Sequence, residues 1–230
     1  MTAQADIKLW FDKIYKEKGY SYLRPQDAYN IFVSLLDPDK DSKHLDVACG
    51  LGLLLKAMNS HCSEVHGIDL SSEAIKKSKI YCPEAKVREG NAESLPYDDE
   101  TFDSVSCIGS IERMIDRPKV LKEQLRVAKS NARFCYMVRN SEHFTWKYLL
   151  KPFGLRNKKG HQDAQTLQQW KTLFISNGFK ILDIYPDHWP YYRALKILMP
   201  WSKIDTGRII RFPFKISIAY EFIFVVAKAS

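Results

Sequence analysis

The stretch Asp46-Val47-Ala48-Cys49-Gly50-Leu51-Gly52, DVACGLG, decides the fold, because a glycine turn follows directly on a run typical of a buried strand. Such turns between a strand and a helix bind nucleotides, since their backbone N–H groups can approach the ligand closely. Asp46 stands at the entrance of the turn, where its carboxylate would repel phosphate groups. The stretch therefore predicts a nucleotide-like ligand without a pyrophosphate.

Strands and helices alternate around this turn. The patterns predict helices at 6–18, 25–36, 52–60, 71–82, 119–129 and 164–178, and strands at 43–49, 64–70, 85–91, 102–109, 132–138, 179–185 and 217–229. Such alternation requires right-handed crossovers and a parallel sheet covered on both faces. No helix is predicted between the last two strands, which favours an antiparallel pair at one edge. The predicted fold class is α/β, with a Rossmann-like, mostly parallel seven-stranded sheet, helices on both faces and an antiparallel last strand.

Composition is that of a globular protein. The 230 residues are 45% hydrophobic and 27% charged, which is ordinary for one domain with a sizeable core. No stretch has the pattern of a signal peptide or a membrane span, so a cytoplasmic location is expected. The five cysteines are an odd number without a C-x-x-C pair, which argues against a disulfide framework and against a zinc site.

The net charge of +8 is concentrated in one region. Residues 147–215 contain thirteen Lys or Arg and four acids, whereas the rest of the chain contains 22 basic and 23 acidic residues. A local basic surplus predicts contact with an anion. Within it, residues 186–215 mix aromatic with basic side chains, which has two interpretations. The segment either forms a basic amphipathic lid that touches an anionic membrane or a lipid-linked acceptor, or packs on the sheet as an ordinary active-site cover.

The absence of two nucleotide-binding motifs limits the class of ligand. A dinucleotide fingerprint would need glycine where Leu55 stands, and the Gly-Lys-Ser/Thr of a Walker loop is absent. Asp69 ends the next strand, nineteen residues beyond Gly50, a position suited to paired ribose hydroxyls. Asp46 would face an ammonium group, directly or through water. These features fit S-adenosylmethionine, whose sulfonium and ammonium groups favour carboxylates where phosphates would not.

An ordered set of motifs supports this ligand. The segments HLDVACGLG, VHGIDLSSEAI, EGNAESLPYDDETFDSVSCIGSIERMID and VLKEQLRVAK resemble the successive motifs of class I S-adenosylmethionine-dependent methyltransferases. The resemblance covers about residues 40–140 and is closest to the branch with quinone-biosynthesis and other small-molecule enzymes. It implies one domain over 1–230, with a cofactor-binding core at 40–140 and an acceptor-side cover formed by 1–36 and 141–215.

The resemblance also implies residue roles. Asp46 and Asp69 would hold the methionine ammonium and the ribose, Leu70 would lie against the adenine, and Ile108, with Gly109 and Ser110, would border the methionine. The remaining cofactor-binding residues implied are Ala48, Cys49, Gly50 and Gly52 in the turn and Asn91, Ala92 and Glu93 at the adenine edge. For Cys49 the alternative is a buried packing role.

The chain departs from the family pattern at three places. Asn91 replaces a common aspartate, although its amide oxygen can still accept a hydrogen bond from the adenine amine. Arg113 replaces a histidine, which puts a general base there in doubt and offers a guanidinium for a phosphate or carboxylate of the acceptor. The alternative for Glu112 and Arg113 is a surface ion pair. The turn before the fifth strand lacks the usual Pro-Gly-Gly. His161, before a helix that resembles the family's substrate-side helix, becomes the candidate base, the alternative being a loop histidine with no role. His188 with Tyr185, Tyr191 and Tyr192 forms either an acceptor wall or ordinary packing.

The predicted function is methyl transfer from S-adenosylmethionine to a small anionic acceptor. The C-terminal pattern loosely resembles methyltransferases of bacterial surface polysaccharides, which favours a sugar hydroxyl on a nucleotide or lipid carrier. A quinone or lipid-like ring is the alternative. An RNA methyltransferase and a non-catalytic cofactor-binding module remain open, although the chain shows no appended RNA-binding domain and no Asn-Pro-Pro-Tyr motif. Apart from the acceptor, the expected partner is a membrane that the protein contacts peripherally. Nucleic acid is not favoured as a partner, and the sequence does not determine the oligomeric state.

Overall fold

A computed structural model describes residues 3–144, 147–148, 163–209, 216 and 219–229. The strands are β1 (Lys43–Val47), β2 (Glu64–Asp69), β3 (Lys86–Glu89), β4 (Phe102–Ile108), β5 (Ala128–Arg139), β6 (Phe179–Pro186) and β7 (Glu221–Lys228). The helices are α1 (Ala3–Lys18), α2 (Asn30–Leu36), α3 (Leu53–Met58), α4 (Ser72–Tyr81), α5 (Arg117–Val127), α6 (Leu167–Ser176) and α7 (Trp189–Leu198). Short 3₁₀ turns lie at Gly19–Tyr22, Gln26–Tyr29 and Ile111–Arg113.

The described strands form one seven-stranded sheet in the order β3-β2-β1-β4-β5-β7-β6. β1 pairs in parallel with β2 and β4, so that Asp46 lies opposite Gly67 on one side and Ser106 on the other. β7 runs antiparallel to both β5 and β6. The predicted α/β fold, with its mostly parallel sheet and antiparallel last strand, is confirmed. The carboxyl ends of β1, β2 and β4 meet at one edge, where open α/β sheets bind ligands.

One predicted feature is wrong. No helix was expected between the last two strands, yet α7 occupies Trp189–Leu198. Pro190 lies in its first turn, where a missing N–H costs no hydrogen bond, so this proline is compatible with a helix start. Tyr192 is buried and anchors one side of α7, a tertiary contact that local patterning does not reveal.

The core lies on both faces of the sheet. On one face, α5 and α6 contribute Val120, Leu121, Trp170 and Phe174 to the larger apolar cluster. On the other face, α2, α3 and α4 pack with the second cluster. The central strands β1 and β4 are buried over most of their length, including their polar residues His44, Asp46, Ser104 and Ser106. No helix among the described residues has both the length and the hydrophobicity to cross a bilayer.

Side-chain caps fix where several helices begin. Ser71 accepts a hydrogen bond from Ala74 N at 3.1 Å and so begins α4. Ser71 also donates its hydroxyl proton to Asp12 of α1, with a separation of 2.6 Å between the oxygens. The same Asp12 oxygen accepts from Glu73 N at 3.2 Å. These bonds hold α1 against the start of α4, and hence close to the ligand-binding edge of the sheet.

Gly52 is required by the approach of α3 to α4. It precedes Leu53 with a left-handed φ of +84°, a conformation that is unfavourable for residues with a Cβ. A Cβ built there would lie 2.4 Å from Ser78 Oγ and 3.3 Å from the Ser78 Cα. Backbone conformation and close approach therefore both call for glycine at this position.

We predict that Gly52→Ala lowers the free energy of unfolding by roughly 3 kcal/mol, with about 1–2 kcal/mol from the left-handed backbone and the rest from displacing Ser78. Gly19→Ala is the matched control, because Gly19 has a φ of +53° but its Cβ would meet nothing nearer than Lys77 Nζ at 3.5 Å. Urea unfolding measures both variants. Equal losses would show that the close approach contributes nothing.

Candidate functional site

The turn after β1 bends through three left-handed residues. Ala48, Gly50 and Gly52 have φ values of +61°, +52° and +84°. Cys49 N donates to Ile68 O at 3.0 Å, which holds the turn against β2. The turn therefore passes close to the end of β2, which brings Asp69 beside it.

Asp69 binds the turn through its carboxylate. Its Oδ2 accepts from Gly50 N at 2.9 Å and its Oδ1 accepts from Ser71 N at 2.8 Å. The side chain is buried, and burial raises the pKa of Asp69 to about 6 against the opposing effect of these two hydrogen bonds. Each oxygen keeps a further lone pair, so the carboxylate can still accept from hydroxyls of a ligand.

Asp46 is the end of a chain of hydrogen-bonded polar side chains on β1 and β4. Ser106 Oγ donates to Asp46 Oδ1 at 2.6 Å and lies 3.1 Å from His44 Nε2. Ser104 Oγ lies 2.8 Å from His44 Nδ1. Because Ser106 gives its proton to the carboxylate, the network assigns the His44 proton to Nε2. Burial lowers the pKa of His44 to about 3, so this histidine stays neutral and has a structural role.

The pKa of Asp46 lies far above its usual value. Burial raises it to about 7, the Ser106 hydrogen bond lowers it, and the charge of Asp69 raises it further. Two buried carboxylates that repel each other are an unfavourable arrangement without a nearby cation. Carboxyl groups with such shifted pKa values occur at binding and catalytic sites.

Two cavities meet above these acids. The Asp69 cavity, of about 80 Å³, is bounded by Asp69 together with Ile7, Ile68, Leu70, Asn91, Ala92 and Glu93 among others. The Asp46 cavity, of about 290 Å³, is bounded by Asp46 together with Cys49, Gly50, Ile108, Gly109, Met137 and Glu221 among others. Five residues line both, namely Phe11, Tyr15, Ala48, Ser110 and Arg113. The shared walls make the two cavities adjoining parts of one cleft.

The structure brings the predicted cofactor residues together along this cleft, with one exception. Gly52 lines neither cavity and instead allows α4 to approach. Asn91 has a more local task than expected, since its Oδ1 accepts from Glu93 N at 2.9 Å. That bond shapes the loop after β3 and leaves one lone pair on the amide oxygen for a ligand.

Arg113 and Glu112 do not form a surface ion pair, so that interpretation is wrong. Both side chains are buried, at 8% and 0% exposure, because the 3₁₀ turn after β4 faces the interior. The Arg113 guanidinium lies 5.3 Å from the Phe11 ring centroid and 5.8 Å from that of Trp10. Burial raises the pKa of Glu112, while Arg113 opposes the shift. Arg113 is thus placed at the junction of the two cavities.

Other candidates fall elsewhere. His161 lies outside the described residues. The predicted acceptor wall after β6 borders neither cavity, since His188 and Tyr192 are buried in packing and Tyr185 packs against the second apolar cluster. The aromatic walls come instead from Phe11, Tyr15, Tyr22, Tyr29 and Tyr220.

Sequence reasoning missed the ionic part of the Asp46 cavity. Arg24 donates to both carboxylate oxygens of Asp187 at 2.8 Å and also bonds Glu221. Arg139 Nε lies 3.3 Å from Glu221 Oε1. Arg24, Arg139 and Glu221 all line the cavity. A signal was available for Glu221, because it is a lone acid in the apolar run YEFIFVVA, but its partner Arg24 is 197 residues away.

Part of the chain matches a known protein family. A family model described as "Methyltransferase domain" matches residues 45–136. A demethylmenaquinone methyltransferase of Bacillus mycoides is 30% identical over 157 residues, which are 61% of this chain and 66% of the relative. A ubiquinone biosynthesis O-methyltransferase of Coxiella burnetii is 29% identical over 67% of this chain and 69% of the relative. The chain thus spans about two thirds of the length of these curated relatives.

The same fold occurs in solved structures. A geranyl diphosphate C-methyltransferase from Streptomyces coelicolor, determined with Mg²⁺, geranyl diphosphate and S-adenosyl-L-homocysteine, aligns with a TM-score of 0.69 at 14% identity. The alignment covers 100% of this chain and 99% of that one. The family match runs from β1 to β5 through both strand-end acids, and both curated relatives are named methyltransferases. Residues 45–136 therefore form an S-adenosylmethionine-dependent methyltransferase domain, whose fold the solved structure shares.

Proposed function

We propose that this protein transfers a methyl group from S-adenosylmethionine to a small acceptor that carries an anionic group. The observation that carries the proposal is the pair of buried acids, Asp46 and Asp69, which face adjoining cavities from neighbouring strand ends. A ligand that spans both cavities would meet a carboxylate in each. S-adenosylmethionine offers ribose hydroxyls and an ammonium group at its two ends, and these groups suit carboxylates.

The Asp69 cavity fits the adenosine part. Ile68, Leu70 and Ala92 supply apolar surface for a base, while Asn91 and Glu93 supply polar groups at its edge. Asp69 stands at the end of β2 for the ribose. In the Asp46 cavity, Asp46, Gly50 and Ile108 border the space for the methionine part. Cys49 also borders it, with a thiol whose pKa is raised by burial, so it contributes surface and not a nucleophile.

The chain's part in the reaction is mainly alignment. When bound, S-adenosylmethionine supplies a methyl group on a positively charged sulfur, which an acceptor atom displaces in line. Phe11, Tyr15 and Arg113 stand between the two cavities, where they can orient the acceptor and exclude water. An oxygen acceptor with a high pKa also needs a base, and we retain His161 as the proposed base.

The Asp46 cavity favours a planar acceptor. Its walls include Phe11, Tyr22, Tyr29 and Tyr220, against which a ring can stack. Arg113 and Arg139 lie in the same walls and can hold a carboxylate, phosphate or phenolate. The related enzymes are named for quinone biosynthesis. These observations support a quinone-like ring over the sugar hydroxyl that the C-terminal sequence favoured.

We predict that affinity for S-adenosylmethionine falls as pH falls from 7.5 to 5.5. Asp46 is ionised above its pKa of about 7 and neutral below it, and only the ionised form attracts the ammonium. The dissociation constant should therefore rise by at least about tenfold over this range. Calorimetry of wild type and Asp46→Asn measures it. The variant should bind weakly with a shallower pH dependence, retaining the part due to Asp69. Identical pH profiles for wild type and Asp46→Asn would show that Asp46 does not contact the cofactor.

We predict that Asp69→Ala weakens cofactor binding at least tenfold, because hydrogen bonds to a charged group are worth about 1.5–3 kcal/mol. The turn will also lose stability, since Gly50 N and Ser71 N lose their acceptor. Asp103→Ala is the matched control, because Asp103 accepts from Lys43 N at 2.9 Å on the same sheet but lines neither cavity. Calorimetry should show normal affinity in the control. Equal weakening in both variants would mean that general destabilisation, not ribose contact, is measured.

We predict that incubation with labelled S-adenosylmethionine and an extract of the native host labels a small anionic molecule. With that acceptor purified, Arg113→Gln should raise KM about tenfold with a smaller change in kcat, since a charge-assisted contact is lost. Arg88→Gln is the control, because Arg88 lies 4.9 Å from the Tyr97 ring centroid but lines neither cavity. An acceptor without an anionic group, or unchanged KM in Arg113→Gln, would contradict this assignment.

A further inference from the structure

One face of α7 is apolar and turned to solvent. Tyr191, Ala194, Ile197 and Leu198 recur at a spacing of three and four residues, so they lie on the same side of the helix. Ile197 and Leu198 are 72% and 71% exposed. Large apolar side chains at helical spacing are normally directed into a core. This face is therefore the reverse of an ordinary amphipathic surface helix.

The exposed surface continues beyond the helix. Met199 is 38% exposed and Trp201 is 80% exposed, the latter next to Pro200 in the chain. We call Tyr191, Ala194, Ile197, Leu198, Met199 and Trp201 the α7 surface. Contiguous exposed apolar residues of this kind mark contact sites for proteins or membranes.

The opposite face of α7 is fixed to the rest of the protein. Tyr192 is buried and its hydroxyl donates to Arg208 O. Lys196 pairs with Asp27, and Trp189 N donates to Asp187 Oδ1 at 3.1 Å. The apolar face thus points outward because the other face is already anchored.

Basic residues adjoin the α7 surface in the chain. Arg193, Lys203 and Arg208 are exposed, whereas Asp205 is the one exposed acid among residues 186–209. An apolar face with Trp, Ile and Leu beside Lys and Arg is the composition of helices that lie in the interface of an anionic bilayer. Against a second copy of this chain, the same basic residues would meet like charges across a symmetric contact.

We propose that the α7 surface docks on an anionic lipid bilayer, with Ile197, Leu198 and Trp201 inserted among the headgroups and Arg193 and Lys203 facing the lipid phosphates. The start of α7 lies beside the Asp46 cavity, because Asp187 accepts from Trp189 N and is bound to the cavity residue Arg24. Docking would therefore bring the cavity near the membrane, where a lipid-like acceptor is found. The presence of a lipid-like acceptor rests on the proposed function, whereas docking itself does not.

Vesicle flotation tests the proposal without cofactor or acceptor. The full chain is mixed with phosphatidylcholine vesicles, with and without about 30 mol % phosphatidylglycerol. We expect binding to the anionic vesicles, with roughly fivefold loss for Arg193→Gln and strong reduction at about 0.5 M salt. The triple variant Ile197→Ser, Leu198→Ser, Trp201→Ser should lose at least about tenfold in affinity.

The matched control is Ile80→Ser with Ile175→Ser, which removes two exposed isoleucines, at 83% and 60% exposure, from α4 and α6. This control should bind vesicles like wild type. Affinity for S-adenosylmethionine reports whether the triple variant is folded. If it is not folded, the single variant Trp201→Ser replaces it in the vesicle experiment. Absence of binding to anionic vesicles, equal binding by the triple variant, or a dimer in sedimentation that only the triple variant loses would overturn the proposal.

Discussion

The site depends on two carboxylates kept out of water at neighbouring strand ends. Burial raises the pKa values of Asp46 and Asp69 to about 7 and about 6, and the charge of Asp69 raises the pKa of Asp46 further. Hydrogen bonds from Ser106, Gly50 N and Ser71 N offset part of that cost. Under the proposed function, a cationic ligand would relieve the remainder, and its binding would be favoured by that relief. A phosphate ligand would increase the repulsion, so these acids would select for a cation.

The same hydrogen bonds organise the surroundings. Asp69 joins Gly50 of the turn to Ser71, and Ser71 joins α4 to Asp12 of α1. On either side of Asp12 in the chain, Phe11 and Tyr15 of α1 line both cavities. One chain of polar contacts thus links the acid at the end of β2 with the helix that covers it. Because buried networks of this kind act as a unit, loss of one member should disturb both the turn and the cover.

Local patterns predicted the alternating strands and helices, the turn and the positions of both acids, because these follow from residues close together in the chain. Local patterns could not predict contacts between residues far apart in the chain. Arg24 and Asp187 are 163 residues apart, and neither carries a local signal for the other. The surface placement of Glu112 and Arg113 was wrong because their burial results from α1 and the sheet. The helix α7 was missed although its apolar residues recur at helical spacing, because the aromatic and basic composition of residues 186–215 was interpreted as an insertion between two strands.

The Arg24 ion pairs connect the acceptor side of the cleft with α7. Arg24 contacts Glu221 at the start of β7 and Asp187 at the start of α7. A buried ion pair adds little net stability, because desolvation cancels most of the attraction, but it fixes geometry strictly, since a misplaced partner leaves an unpaired buried charge. Any displacement of α7 would therefore separate Arg24 from Asp187 and alter the cavity wall. The ion pairs of Arg24 thus join the segment that leads into α7 to the wall of the Asp46 cavity.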